Sequence, residues 1–108
     1  MKIREILNQD KPTVSFEVFP PKKDTDFANV EAAALDIAAL KPSYMSVTYG
    51  AGGSTKGLTI KLAERIQQKY DVPTVSHLTC VCASKDSIKL ALDDIKAAGI
   101  ENILALRG

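Results

Sequence analysis

Cysteine, histidine and excess charge are all scarce in this 108-residue chain. It carries two cysteines and one histidine, and 14 Lys and Arg balance 13 Asp and Glu for a formal net charge of +1. Cys80 and Cys82 lie one residue apart, too close to staple distant segments, and they read as reduced thiols of a cytoplasmic protein. Charge so near balance gives no electrostatic basis for binding nucleic acid or an anionic membrane surface. No apolar run approaches the ~20 residues that span a bilayer, and Met1-Lys2-Ile3-Arg4-Glu5 leads into no signal-peptide core. Low-complexity segments and linkers are absent too. What remains is a 45% apolar composition, enough for one hydrophobic core.

Within it, one stretch stands out: Val14-Ser15-Phe16-Glu17-Val18-Phe19-Pro20-Pro21-Lys22. Its alternation places Val14, Phe16 and Val18 on one face of a strand, with Ser15 and Glu17 on the other. Two prolines then forbid any regular continuation. A carboxylate set among apolar neighbours near the end of a strand is costly unless paired, protonated or used. In a dry pocket its pKa would rise and it could act as a general acid; on an edge strand it would be an idle surface charge.

Taken in order, residues 1–9 suit a short amphipathic helix, and strands are expected at about residues 13–19, 44–49, 74–80 and 102–107. Helices fall between them at about 25–40, 55–70 and 84–98. Asp24 or Thr25 is expected to cap the first of these, Ser54 or Thr55 the second and Ser84 the third. Their inner stripes are Phe27, Val30, Ala34, Ile37 and Ala38, then Leu62, Ala63, Ile66 and Tyr70, then Ile88, Ala91, Leu92, Ile95 and Ala98. Gly99 stands where a left-handed helix end is needed. The pattern is an α/β chain, βαβαβαβ, with parallel strands and right-handed crossovers.

Glu17, Thr48, His77 and Arg107 recur at 31, 29 and 30 positions, about one βα unit, each at or near the carboxyl end of its strand. That rim is where parallel α/β folds bind ligands. Four strands cannot close an eight-stranded barrel of about 250 residues, and the chain ends directly off a strand. A single partial domain over residues 1–108 is therefore expected, or else a small open sheet. Gly50-Ala51-Gly52-Gly53-Ser54-Thr55 offers backbone N–H groups to an anion, yet it fits neither the dinucleotide nor the phosphate-loop pattern. A lone histidine on a strand is commonly a hydrogen-bonded core residue, and Arg107 would serve equally as a strand-end charge or a ligand contact. His77, Cys80 and Cys82 match no zinc spacing, so no metal site is expected. Two further readings stay open: a non-catalytic module binding nucleotide or phosphate through residues 50–55, and a fragment whose bare sheet edges self-associate.

Four segments together resemble the methylenetetrahydrofolate reductase family: residues 15–22, Ser46-Val47-Thr48-Tyr49-Gly50-Ala51-Gly52-Gly53-Ser54, His77-Leu78-Thr79-Cys80, and Leu104-Ala105-Leu106-Arg107-Gly108. The resemblance covers the chain from about residue 13 onward. It implies the first half of a (β/α)8 TIM barrel that binds FAD and reduces methylenetetrahydrofolate to methyltetrahydrofolate with NADH or NADPH, in one-carbon and methionine metabolism. By resemblance Glu17 is the acid that opens the folate ring to an iminium. Thr48, Tyr49, Ala51, His77, Arg107 and Gly108 match flavin-contacting positions, and a homo-oligomer is expected. The family's aspartate after Leu-Arg-Gly is missing here, as are the later strands. The segment alone is therefore expected to be inactive.

Overall fold

A computed structural model of the chain describes residues 1–49 and 56–108. After a short helix α1 (Ile3–Leu7), the elements run β1 (Ser15–Val18), a 3-10 turn (Asp24–Asp26), α2 (Phe27–Ala38), β2 (Tyr44–Val47), α3 (Lys56–Tyr70), β3 (Thr74–Thr79), α4 (Lys85–Ala97) and β4 (Asn102–Leu106). The strands form one parallel sheet in the order β1-β2-β3-β4, so the expected βαβαβαβ fold is present. Observed strands stop a residue or two inside the expected limits, as strand ends without partners do.

One face of the sheet is dry. Val18, Met45 and Val47 pack there with Phe27, Ala34 and Ala38 of α2, Leu62, Ala63 and Ile66 of α3, and Ile95 of α4. Thr74 and Ser76 of β3 belong to the same face by parity and are fully buried. The three stripes read from helical spacing thus supply the core, with one correction. Leu92 is 39% exposed: among the described residues its flank of α4 is not covered as the flank of Ala91 and Ile95 is. Phe16 and Val14 are 38% and 58% exposed, because β1 is an edge strand and covers only Val18.

Helix ends explain the spacing of the strands. Ser84 caps α4 as expected: its Oγ accepts from Ser87 N–H at 3.1 Å, and Ser87 Oγ accepts from Ser84 N–H at 2.9 Å. Neither Asp24 nor Thr25 caps α2, since the chain enters through the 3-10 turn and Asp26 stands at the N-cap without a side-chain bond. The expected cap of α3 at Ser54 or Thr55 lies outside the described residues. Gly99 adopts φ +76°, as a left-handed helix end requires. Lys41 and Asp71 take the same conformation at φ 57° and 56° after α2 and α3. Each of the three lies three residues before the next strand, so the αβ turns are copies of one another.

Candidate active site on the concave face

The opposite face of the sheet is concave and polar near its middle. Glu17, Tyr44, Ser46, Val75, His77 and Leu104 line an open cavity of about 520 Å³. In register, Glu17 is level with Ser46, Ser46 with Val75, and Val75 with Asn102. His77 therefore stands two residues further along than Glu17 when measured perpendicular to the strands. In an eight-stranded barrel of shear 8, a layer climbs about one residue per strand, so Glu17 on the first strand and His77 on the third share a layer. That tilt is why two side chains from non-adjacent strands meet.

They meet closely. His77 Nε2 lies 3.2 Å from Glu17 Oε1, and Ser46 Oγ donates to the same oxygen at 3.0 Å. The imidazole is buried, with 8% of its side chain exposed, while Glu17 is 51% exposed. The His77 contact has ion-pair distance but poor alignment, so Nε2 remains a buried polar atom without a true hydrogen bond. Both contacts fall on the same carboxylate oxygen, Oε1. The dry pocket considered for Glu17 is not formed by these residues: half of the carboxylate side chain faces solvent.

Of the remaining candidates, Thr48, Tyr49, Arg107 and Gly108 stand past the strand ends and do not line this cavity. Thr48 is half-buried; its N–H donates to Val18 O at 3.0 Å and its carbonyl accepts from Thr59 Oγ1 at 2.8 Å. Tyr49 is half-buried beside it. Burial, and then the negative charge of a Cys80 thiolate, push the Tyr49 phenol above its ordinary value of 10.0. Arg107 is exposed, and its carbonyl accepts from Val81 N–H at 2.8 Å, extending the β3–β4 pairing. Gly108 has φ +95°, and a Cβ there would lie 2.5 Å from Thr79 Cγ2 and 2.6 Å from Val81 Cγ1, so backbone conformation and close approach together favour glycine. Ala51 lies outside the described residues. Among the described residues no group of three or more His, Cys, Asp or Glu is placed to hold a metal, and no helix is long and apolar enough to cross a membrane.

Ser46 was not singled out by sequence reasoning. The available signal was parity: Ser46 is two residues before Thr48, hence on the same face, but only the register sets it beside Glu17.

For Tyr49, the sign of the pH effect is fixed. In the unfolded chain the phenol ionises first, so its contribution to stability is held below about pH 10 and is lost as pH rises through the higher folded value. In an alkaline absorbance titration, Tyr49→Phe is expected to remove a phenolate component that ionises above pH 10. Loss of a component at or below that pH would contradict the burial of the phenol.

A parallel βα repeat bearing a carboxylate–imidazole pair on its concave face defines an α/β protein of barrel type with a strand-borne site. Comparison with known proteins narrows this further. The family model described as methylenetetrahydrofolate reductase matches residues 2–108, and the chain belongs to that family. It is similar to methylenetetrahydrofolate reductase (NADH) 1 of Zea mays, 42% identical over 107 residues, which cover 99% of this chain and 18% of the relative. Methylenetetrahydrofolate reductase 2 of Schizosaccharomyces pombe is 41% identical over 112 residues, covering all of this chain and 18% of the relative. The 5,10-methylenetetrahydrofolate reductase of Pectobacterium carotovorum is 35% identical over 112 residues, with 97% and 37% covered. The chain thus spans about a fifth to somewhat over a third of the length of these relatives.

Proposed function

We propose that these residues form one partial domain, the amino-terminal half of a barrel, in an enzyme that reduces methylenetetrahydrofolate to methyltetrahydrofolate with NADH or NADPH. The observation that carries this reading is the Glu17–His77–Ser46 cluster on the concave face, in a chain of this family. FAD is the cofactor proposed, and the residues present fit such a group. His77 Nε2 is a buried polar atom in want of a partner, and Leu104 and Leu106, 44% and 37% exposed, give apolar surface on the same face. A planar ring system with a hydrogen-bonding edge suits that combination. Thr48, Tyr49, Ala51, His77, Arg107 and Gly108 are the residues we assign to holding it. When bound, FAD supplies the hydride.

The protein's own part is positional and acid–base. Glu17 is the residue assigned to pass a proton to a ring nitrogen of the folate as that nitrogen's bond to the bridging carbon breaks, which opens the five-membered ring to an iminium. Ser46 holds the carboxyl group by its hydrogen bond to Oε1, with His77 Nε2 in contact at 3.2 Å. The alternative of a non-catalytic nucleotide or phosphate module is not favoured, because its loop belongs to a family of reductases.

Two outcomes test the reading. The 108-residue chain, mixed with FAD and passed through gel filtration, is expected to elute colourless, since it presents only four strands of a rim site. Stoichiometric yellow flavin in the protein peak would refute that. In the full-length enzyme, Ser46→Ala is expected to lower kcat about five- to tenfold, the kinetic equivalent of roughly 1–1.4 kcal/mol for one hydrogen bond. An unchanged kcat would leave Ser46 without a role in positioning Glu17.

A further inference from the structure

Cys80 and Cys82 take no part in the chemistry proposed above, and both are free and exposed. They follow β3, which is paired on both sides, with β2 and with β4, so their setting is that of an interior strand. The chain turns sharply here. Ala83 N–H donates to Cys80 O at 3.2 Å, and Cys82, the third residue of the turn, has φ +60°. That hydrogen bond with a left-handed third residue is the pattern of a type II β-turn, where glycine or asparagine is usual. Cysteine gains nothing there by conformation. Of the other non-glycine residues with positive φ among the described residues, Asp71 is of a type that tolerates the left-handed region, and Lys41 donates from Nζ to Tyr70 O. Cys82 is exposed and lies outside the core cluster. What it brings to the turn is a second thiol, with Val81 alone between it and the first.

Turn geometry suits a bond between the two. Cα atoms two positions apart lie about 6.6 Å from each other along a strand, and a turn shortens that to about 5.5–6 Å. Disulfides most often span about 5.5–6 Å between Cα atoms. The turn is also held from outside. Cys80 N–H donates to Leu106 O at 2.9 Å and Val81 N–H to Arg107 O at 2.8 Å, which pins its first two residues to the end of β4. Folding therefore confines the thiols to one neighbourhood and raises their effective concentration toward each other above that in a free peptide.

We propose that Cys80 and Cys82 are a reversible dithiol–disulfide pair, a modification site that closes on exposure to a peroxide and reopens with a thiol reductant. The inference rests on the turn and not on the folate reading. In the first step one thiolate attacks a peroxide oxygen, and the O–O bond breaks to leave a sulfenic acid and hydroxide. The second thiol then attacks the sulfenic sulfur: the S–S bond forms, the S–O bond breaks, and the oxygen leaves as water. The two thiols give up two electrons, and hydrogen peroxide is reduced to two waters. In a reducing compartment the pair stands as thiols, so closure marks a departure from that state. The turn lies against the proposed cofactor residues. Val81 packs closely on Gly108, and Cys80 is near enough to Tyr49 for a thiolate charge to act on the phenol.

Peptide mapping of the native full-length protein provides the test. The protein is treated briefly with hydrogen peroxide, quenched in acid, alkylated at its remaining thiols and digested with trypsin. The tryptic peptide 70–85, which carries both cysteines, is expected to be unalkylated and lighter than its dithiol form by two hydrogens. Dithiothreitol before alkylation is expected to return it doubly alkylated. A peptide that stays doubly alkylated after peroxide overturns the proposal, as do sulfinic or sulfonic acids in place of the disulfide, or bonds from Cys80 or Cys82 to any other cysteine. A second measurement reads the turn itself. In glutathione buffers the folded protein is expected to form the disulfide with an equilibrium constant at least about tenfold above that of synthetic peptide 70–85. An equal or smaller constant in the folded protein would mean that the turn does not bring the thiols together, and would overturn the proposal as well.

Discussion

Full-length enzyme carrying Glu17→Gln is expected to lose methylenetetrahydrofolate-dependent turnover by about 10²–10⁴-fold, the range a positioned general acid supplies. Gln keeps the length and planarity of Glu and can still accept from Ser46 Oγ, so the fold has no reason to change. What it loses is the carboxyl group that the proposed acid step requires. On the proposed reading, the half-reaction in which NAD(P)H reduces the flavin needs no proton delivered to folate, so it is expected to proceed at near its normal rate. Stopped-flow absorbance separates the two: rapid bleaching of the flavin by NAD(P)H, followed by folate reduction slowed by orders of magnitude. Equal slowing of both half-reactions would mean that Glu17 serves the site structurally. Unchanged turnover would remove it from the acid's role. His77 adds a check, because its buried Nε2 contacts the same oxygen. A His77→Gln variant is expected to disturb Glu17 less than removal of the carboxyl itself, since Ser46 still holds Oε1.

The carboxylate was legible in the sequence because strand alternation and two following prolines are local signals. So were the helix stripes: Ala34, Ala38, Leu62, Ala63, Ile66, Ala91 and Ile95 are all buried where 3.6-residue spacing puts them. Gly99 was legible for the same reason, as glycine alone takes a positive φ without cost. Lys41 and Asp71 were not, because their identity does not announce the left-handed conformation that the αβ turn imposes on them. The thirty-residue series brought forward Glu17 and His77, yet it could not say that they touch. That contact depends on strand stagger, which is a property of pairing and not of composition. Ser46 escaped notice for the same reason. Arg107 shared the spacing but stands beyond the end of β4, outside the cavity that the pair lines.

Helix α4 offers the sharpest test of where spacing stops and packing begins. Ile95 and Leu92 lie on the same sequence stripe, but Ile95 is 1% exposed within the core and Leu92 is 39% exposed. Ile95→Ala is expected to cost about 2–5 kcal/mol, because it leaves a cavity where the sheet, α3 and α4 converge. Leu92→Ala is expected to cost under about 1 kcal/mol, since its truncated atoms already face water in part. Against the roughly 5–15 kcal/mol that holds a domain together, the first change threatens the fold and the second does not. At about 4–8 °C per kcal/mol for a domain of this size, Ile95→Ala should lower Tm by some 10 °C or more. Urea unfolding followed by circular dichroism reads the difference as a shift in midpoint at constant slope, and the variants must be compared at one protein concentration if copies associate. Equal losses from both variants would mean that α4 is docked with Leu92 inward, rotated from the orientation that buries Ala91 and Ile95 together.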